Sequence, residues 1–532
     1  MWQRLLENPS AAGFTRRDLL RGGALAALPA ALRGDPRPDP KAPSPLAPDV
    51  YGPLGVKPII NARGTYTILS GSLMLPEVRA AMAAASLHYV HLDELAEAIG
   101  RRLAELTKAE WGLVTVGCSA ALTHASAACV TGGNPDLHVR LPNLAGFPRD
   151  TAVIPKHSRN VYDAAVRSVG LRVQEVSTYE ELVRALGPRT ALIYVLAGPN
   201  ADDGPLRTAA VAEAAKARGV PLLVDAAAEI LTVPNVHLQA GATLVAYSGG
   251  KCMRGPQAAG LLLGRKDLVQ AAWVSSAPHH GSGRSMKVGK EEAIGMLTAV
   301  EMWARRDHEA EWRQWTSWLE RISERLRGLD GVSLSVVAPV GLSNRTPSLD
   351  VLWPKERYSV DGEGAARHLL ETEPRIALHP AEGVKDPAMT GVSVTPYMLA
   401  PGEERVVAER IYLLLKNPPR VEKLSSAPPV ADLSGQWEVQ IEYAAGSSTH
   451  TFHVRQRGSD LDGAHQGDFV TRDLSGRVSG DSVTIRSTYT EDHGDALGFS
   501  FAGKVEGDEM SGSLDMGEYL KARWKARRHA RL

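Results

Sequence analysis

Between Val220 and Gly264 the chain reads VPLLVDAAAEILTVPNVHLQAGATLVAYSGGKCMRGPQAAGLLLG, with short apolar runs at Pro221–Val224, Ala242–Tyr247 and Ala258–Leu263. Each run is too short for a helix and is bounded by glycine or a polar cluster, so each reads as a buried strand. The chain before it alternates in the same way. Further strands are predicted at Trp111–Val116, Ala152–Pro155, Arg172–Val176 and Ala191–Leu196. Helices are predicted at Pro76–Ser86, with Pro near its start, and at Leu92–Leu106, where Leu92, Leu95, Ile99, Leu103 and Leu106 recur at helical spacing. Others run from Gly117 to about Val130, near Tyr179–Leu186 and over Thr208–Arg218. Strands alternating with helices of this length predict an α/β fold, a mostly parallel sheet with helices on both faces. In such a sheet the site belongs at the carboxyl ends of the strands.

Downstream, Glu291–Leu329 reads as one long helical stretch. Strands at Ser333–Val337, Ser348–Leu352, Arg375–Leu378 and Val392–Thr395, with helices near Gly362–Leu370 and Glu403–Leu415, make a small α/β domain. Composition changes at Asn417, where NPPRVEKLSSAPPVADLSG is rich in Pro and Ser. Beyond it Trp437–Tyr443, Thr451–Arg455, Ser482–Tyr489 and Phe499–Gly503 alternate with the period of strands. SGRVSGD and AGKVEGD are near-copies that read as repeated hairpin turns. This end of the chain is therefore expected to be a small antiparallel barrel or sandwich, and it resembles the lipocalin-like appendages of secreted enzymes. The predicted organisation is a signal segment at 1–34 and a Pro-rich linker at 35–50. A large domain with an N-terminal arm follows at 51–310, a small domain at 311–416, a linker at 417–431 and the β-domain at 432–532.

Composition narrows the function more by exclusion than by indication. The 532 residues carry a formal net charge of +0, without the basic surplus of bulk nucleic-acid binding. No apolar run reaches the length of an ordinary membrane span. Arg16-Arg17 followed by GGALAALPAAL reads as a twin-arginine signal, so the chain is expected to meet the twin-arginine export machinery and to work in the periplasm or outside the cell. Such machinery carries folded proteins, which suits an enzyme loaded with its cofactor before export. The three cysteines, Cys118, Cys129 and Cys252, are odd in number and lack a CxxC spacing, so no disulfide framework is indicated. The adjacent His279 and His280 have no metal-ligand spacing, and no metal is expected.

The chemistry concentrates at strand ends. Asp225 closes one run, and Ser248-Gly249-Gly250-Lys251 closes the next. A lysine at a crowded strand end suits Schiff-base formation. A carboxylate held against a pyridine nitrogen keeps that nitrogen protonated and the ring an acceptor of electrons. The pair points to pyridoxal 5'-phosphate, with Lys251 as its anchor and as the base for the substrate α-proton. The turn Gly117-Cys118-Ser119-Ala120, between a strand and a helix start, offers free backbone N–H groups to the cofactor phosphate, and Ser248 is a further candidate for it.

The segment SGGKCMRGPQAAGLLLG resembles the lysine segment of selenocysteine synthase (seryl-tRNA selenium transferase) and of its non-tRNA relatives, the D-glucosaminate-6-phosphate ammonia-lyase type. The likeness runs from about Tyr51 to Leu415 through NARGTYTILSGSLMLPEV, HLDELAEAIG, VTVGCSAALTHASAA, PKHSRNVYDAAVRSVG and GRSMKVGKEE. It implies a fold-type I pyridoxal phosphate enzyme. It further implies that His157 stacks on the cofactor ring and that Arg63 binds an anionic group of the substrate. Arg284, Lys287 and Lys290 correspond to a basic active-site loop. They could take a substrate phosphate or carboxylate, or the cofactor phosphate of a neighbouring subunit in a homo-oligomer. Arg375, at a strand start of the small domain, is a candidate clamp for the substrate carboxylate.

The expected activity is elimination of the ammonia-lyase type on a small anionic amino acid or amino-sugar acid. Racemisation and transamination start from the same carbanion and stay open. So does a non-catalytic binding protein working through its β-domain, against which Lys251 and Asp225 argue. Selenium transfer to a tRNA is disfavoured by the neutral charge and the export signal.

Overall fold

The computed structural model describes residues 50–419 and 427–529, apart from Asp492 and Asp495. The signal segment, all but the last residue of the 35–50 linker, and the middle of the 417–431 linker lie outside the described residues. Residues 50–58 belong to a small unit of their own, with a 3-10 turn at Gly52–Leu54.

The arm that follows contributes a short strand, β1 (Ile60–Asn61). The main sheet comprises β2 (Trp111–Thr115), β3 (Thr151–Pro155), β4 (Arg172–Val176), β5 (Thr190–Leu196), β6 (Leu222–Asp225), β7 (Leu244–Ser248) and β8 (Gly260–Gly264). Their order is β2-β8-β7-β6-β5-β3-β4. The β3–β4, β3–β5, β5–β6 and β6–β7 ladders are parallel, while β8 runs antiparallel to both β7 and β2. The sheet is thus mostly parallel, as the alternation of elements predicts. Successive strand residues point to opposite faces, and both faces are buried. Ile193, Val195, Leu222, Val224 and Val245 enter one core, and Leu192, Tyr194, Leu223, Leu244 and Ala246 enter the other. That double burial explains why these strands read as continuous apolar runs.

The stretch read as one helix over Glu291–Leu329 is two helices, Lys290–Arg305 and His308–Leu326. The break falls at Asp307, whose side chain accepts from the Ala310 N–H at 2.9 Å and caps the second helix. The small domain has a four-stranded antiparallel sheet of β9 (Ser333–Val337), β10 (Ser348–Pro354), β12 (His379–Pro380) and β13 (Met389–Val394). Its core takes in Trp318, Ile322, Trp353, Leu369, Val407 and Ile411. Between β10 and β12, β11 (Ile376–Ala377) pairs in parallel with β1, Ile60 against Ile376 and Asn61 against Ala377. The arm is thereby stitched to the small domain.

The C-terminal domain resolves the barrel-or-sandwich expectation as a closed eight-stranded antiparallel barrel. Its strands are β14 (Gly435–Glu442), β15 (Ser447–Arg457), β16 (Asp460–Gln466), β17 (Thr471–Ser479), β18 (Ser482–Thr490), β19 (Ala496–Glu506), β20 (Glu509–Asp515) and β21 (Lys521–Arg528). Each pairs with the next, and β21 returns to β14. The two near-copies end in the turns Gly480-Asp481 and Gly507-Asp508, with φ of 56° and 63° at the glycines, as hairpin turns require. Burial alternates along each strand, and Trp437, Phe452, Phe501 and Trp524 fill the interior. Among the described residues no helix is long and apolar enough to cross a membrane.

Phe501 is 1% exposed and stacks edge-on with Phe452 at 5.0 Å and with Trp524 at 5.3 Å. Phe501→Ala is expected to cost the barrel about 3–5 kcal/mol. Calorimetry would show a lowered barrel transition, and an unshifted melting profile would contradict this packing.

Candidate active site

Asp225 ends β6 and is 2% exposed. In the β5–β6 register Tyr194 lies beside Leu223, on the same sheet face, so its hydroxyl can reach past Leu223 to the strand end. It donates to Asp225 Oδ2 at 2.9 Å. Asp225 Oδ1 accepts from the Ala227 N–H at 3.0 Å and from the Cys118 thiol at 3.6 Å. Burial raises the Asp225 pKa, opposed by these donors and by the charge of Lys251. Burial and the neighbouring carboxylate push Tyr194 and Cys118 up as well, so both keep their protons and act as donors. Asn160 caps the short turn after His157 by accepting from the Tyr162 N–H. Its amide also donates to Ser158 O at 2.8 Å and to the Tyr194 hydroxyl at 3.0 Å. The His157 turn and the Asp225 carboxylate are therefore linked through two side chains. Nothing in the local pattern distinguishes Tyr194 from a core residue of an apolar strand, and sequence reasoning missed it.

The turn at Gly117 opens the helix Gly117–Thr131, which has no side-chain N-cap, so its first N–H groups are open to an anion. Gly117 has φ 84°, and β8 presses against it: a Cβ at Gly260 would lie 2.3 Å from the Gly117 carbonyl carbon. Cys118 and Ala120 are buried and Ser119 is exposed. On the next strand end, Ser248 and Lys251 are half-buried. The segment after Lys251 is pinned by Arg306, whose Nη1 and Nη2 donate to Cys252 O and Met253 O, each at 3.0 Å. Arg306 is a second residue that the sequence alone did not flag. Cys252 donates to Glu229 O, and burial pushes its thiol up to about 12, in keeping with a packing role.

These features fit pyridoxal phosphate. Asp225 is a buried carboxylate whose donors are neutral, and a protonated ring nitrogen would suit it. The uncapped helix start suits the phosphate. His157 accepts from or donates to Ser158 through Nδ1, while its Nε2 is buried without a partner among the described residues.

The predicted substrate residues are spread more widely. Arg63 lies over the Tyr66 ring at 4.6 Å, and the Tyr66 hydroxyl meets His379 Nε2 at 2.6 Å. Arg63 Nε is buried without a partner among the described residues. The arm reaches the lysine turn, since Gln257 Nε2 donates to Thr67 O at 3.1 Å. Thr65 is held by the Tyr397 hydroxyl, so the small domain contributes Tyr397 and His379 to this rim. Arg375 instead turns to its own domain, with Nε donating to Leu370 O at 2.7 Å. Arg284 and Lys287 are exposed on the loop between Ser275 and Lys290, and Lys290 pairs with Glu291.

A family model, aminotransferase class-V, matches residues 152–336. D-glucosaminate-6-phosphate ammonia lyase of Salmonella typhimurium (strain 14028s) is 31% identical over 296 residues, which cover 54% of this chain and 78% of that protein. A 5'-C-glycyluridine monooxygenase-decarboxylase of Streptomyces sp is 32% identical over 396 residues, covering 69% of this chain and 92% of that one. A solved structure of D-glucosaminate-6-phosphate ammonia-lyase superposes with a TM-score of 0.61 at 26% identity, over 70% of this chain and 99% of its own. The chain belongs to the fold-type I pyridoxal phosphate enzymes. Its cofactor is pyridoxal 5'-phosphate. Asp225 closes β6 and Lys251 lies just past the end of β7, at the carboxyl ends of the parallel strands.

The basic loop of this enzyme rests on two buried histidines. A Cβ at Gly281 would lie 1.7 Å from His138 Nε2, and one at Gly283 would lie 2.1 Å from His124 Cε1. Burial, with His138 nearby, lowers the His124 pKa to about 4. The unfolded chain binds that proton first, near pH 6.5, so stability falls as pH drops from about 6.5 toward 4 and levels off below. The loss attributable to His124 is about 3 kcal/mol. Thermal midpoints of the wild type should therefore fall more steeply over that window than those of His124→Gln. Parallel slopes would remove His124 from the account.

Proposed function

We propose that the enzyme eliminates across the α- and β-carbons of a small 2-amino acid with an anionic tail and releases ammonia. The observation that carries this reading is the wholly buried Asp225, held by Tyr194, Cys118 and the Ala227 N–H beside Lys251. The cofactor supplies an electrophilic carbonyl for the substrate amine and a ring that accepts the electron pair left at the α-carbon. Lys251 would hold the cofactor, and its Nζ would serve as the base that takes the α-proton. Asp225 holds a proton at the ring nitrogen, and Tyr194 keeps the carboxylate oriented. His157 would lie against the ring. The first turn of the Gly117–Thr131 helix binds the phosphate, with Ser248 beside it. Arg63, on the arm, binds the anionic tail, and Arg284 and Lys287 extend that charge where the loop closes on the substrate or on a neighbouring subunit. For a substrate bearing a β-hydroxyl, loss of water and hydrolysis of the resulting enamine give a 3-deoxy-2-oxo acid and one ammonia.

The relative named as an ammonia lyase supports this reading, and its substrate name gives the first compound to test. A second reading, oxygen-consuming decarboxylation, draws on the Streptomyces relative, which the match covers over 92% of its length. Purified holoenzyme given D-glucosaminate 6-phosphate is expected to release ammonia and an oxo acid with no oxygen uptake. Lys251→Ala should lose both the absorbance of the bound cofactor and at least about 10³-fold of the rate. Oxygen uptake with carbon dioxide release would select the second reading. Full activity in Lys251→Ala would refute both.

We also propose export of the folded, loaded enzyme by the twin-arginine route, supported by Arg16-Arg17 and the Ala/Leu run after them. Arg16→Lys with Arg17→Lys should retain the protein in the cytoplasm of a host that has this pathway. Unchanged recovery from the periplasmic fraction would exclude the route.

A further inference from the structure

The interior of the C-terminal barrel is apolar except at one end. There the inward positions become His450, His465, Arg472 and Ser487, at 4%, 0%, 7% and 2% exposure. This end is the mouth bounded by the loops 444–446, 467–470 and 516–520. A hydrogen-bonded chain crosses it. Tyr443 Oη meets Ser448 Oγ at 2.7 Å, Ser448 Oγ meets His450 Nε2 at 3.0 Å, His450 Nδ1 meets His465 Nε2 at 2.8 Å, and His465 Nδ1 meets Ser487 Oγ at 2.6 Å. Every ring nitrogen of the two histidines is thereby engaged.

Arg472 is not. Its Nε and Nη1 are buried, and among the described residues they have no partner. Its guanidinium carbon lies 4.7 Å from the Phe499 ring centroid. Asp468, the nearby carboxylate, is half-exposed and lies 3.6 Å from His450 rather than on Arg472. Withdrawing a guanidinium from water without a counter-charge is costly, and truncating or pairing it relieves that cost. Burial pulls the pKa of Arg472 down and that of His465 down to about 3, while Tyr443, Asp468, Glu491 and Tyr489 act on Arg472 in the opposite sense. An anion bound at the mouth would supply the missing partner.

We propose that the barrel mouth is a binding site for a small oxyanion, a carboxylate or a phosphate, seated on the Arg472 fork between Phe499 and the His450–His465 pair. The site is separate from the catalytic residues and does not rest on the chemistry of Lys251. It is nevertheless close to their support. Gly494, in the loop after Thr490, packs near Asn160, where a Cβ would lie 3.9 Å from the Asn160 Cα. Asn160 is the residue that ties the His157 turn to Tyr194. An oxyanion held at the mouth therefore sits in the domain that abuts the cofactor pocket's own scaffold.

The test is calorimetric titration of the holoenzyme with inorganic phosphate and, separately, with succinate. Holoenzyme is used so that the cofactor's own phosphate fills the Gly117 turn. A saturable binding event that depends on Arg472 is expected for one probe, and which probe shows it distinguishes phosphate from carboxylate. Arg472→Gln should weaken it at least tenfold with the cofactor absorbance unchanged. Arg472→Lys, which keeps the charge but loses the fork, should bind with intermediate affinity and covers the case in which Arg472→Gln does not fold. Arg477→Gln, exposed near the far end of the same strand, should bind as the wild type does. Absence of saturable binding for both probes, or binding that both Arg472 variants leave intact, overturns the proposal.

Discussion

A carboxylate buried in a protein must be given partners, and much of the large domain is arranged to give them to Asp225. Its position at the end of β6 is set by a parallel register with β5, which brings the Tyr194 hydroxyl within 2.9 Å. Cys118, in the first turn of the uncapped helix, donates to the carboxylate's other oxygen. The turn after β3 joins the same set through Asn160. Three strand ends are thus tied to one charge before any cofactor arrives. Preorganisation of this kind spares the reaction the cost of orienting dipoles when charge moves.

The parts of this arrangement that were legible in the sequence are those with a local signature. The strand ends carrying Asp225 and Lys251 stand out because apolar runs stop abruptly at polar or glycine-rich residues. The small-residue turn at Gly117 stands out for the same reason. Tyr194 does not, because a buried tyrosine inside TALIYVL looks like packing, and only the register shows where its hydroxyl goes. The pairing of Ile60 with Ile376 was also hidden, since a two-residue ladder between distant segments leaves no period to read. Arg306 pins carbonyls across the fold, and backbone acceptors carry no sequence mark. The helix break at Asp307 was readable in principle, as an N-cap residue followed by acidic residues in the first turn.

The barrel shows the same limit from another side. Its strands β14, β15, β18 and β19 were visible because their inward positions are apolar. β16 and β17 place Gly463, His465, Arg472 and Gly476 among their inward positions, so the alternation that marks a strand is broken where the interior turns polar. The residues that obscured the fold are therefore the ones that give the mouth its character. A similar trade is present at the Gly117 turn, where the backbone is open because no side chain caps it.

The closure of the barrel has a consequence for what the chain can tolerate at its end. Only the pairing of β21 with β14, which sets Arg528 against Trp437, removes the free edges of the sheet. A chain that stopped short of Lys521 would leave β14 and β20 each with a row of unpaired N–H and C=O groups. Such edges are templates for strand addition between molecules. The final strand is thus a safeguard against self-association, and a shortened chain would be a hazard to its neighbours rather than merely a weaker fold.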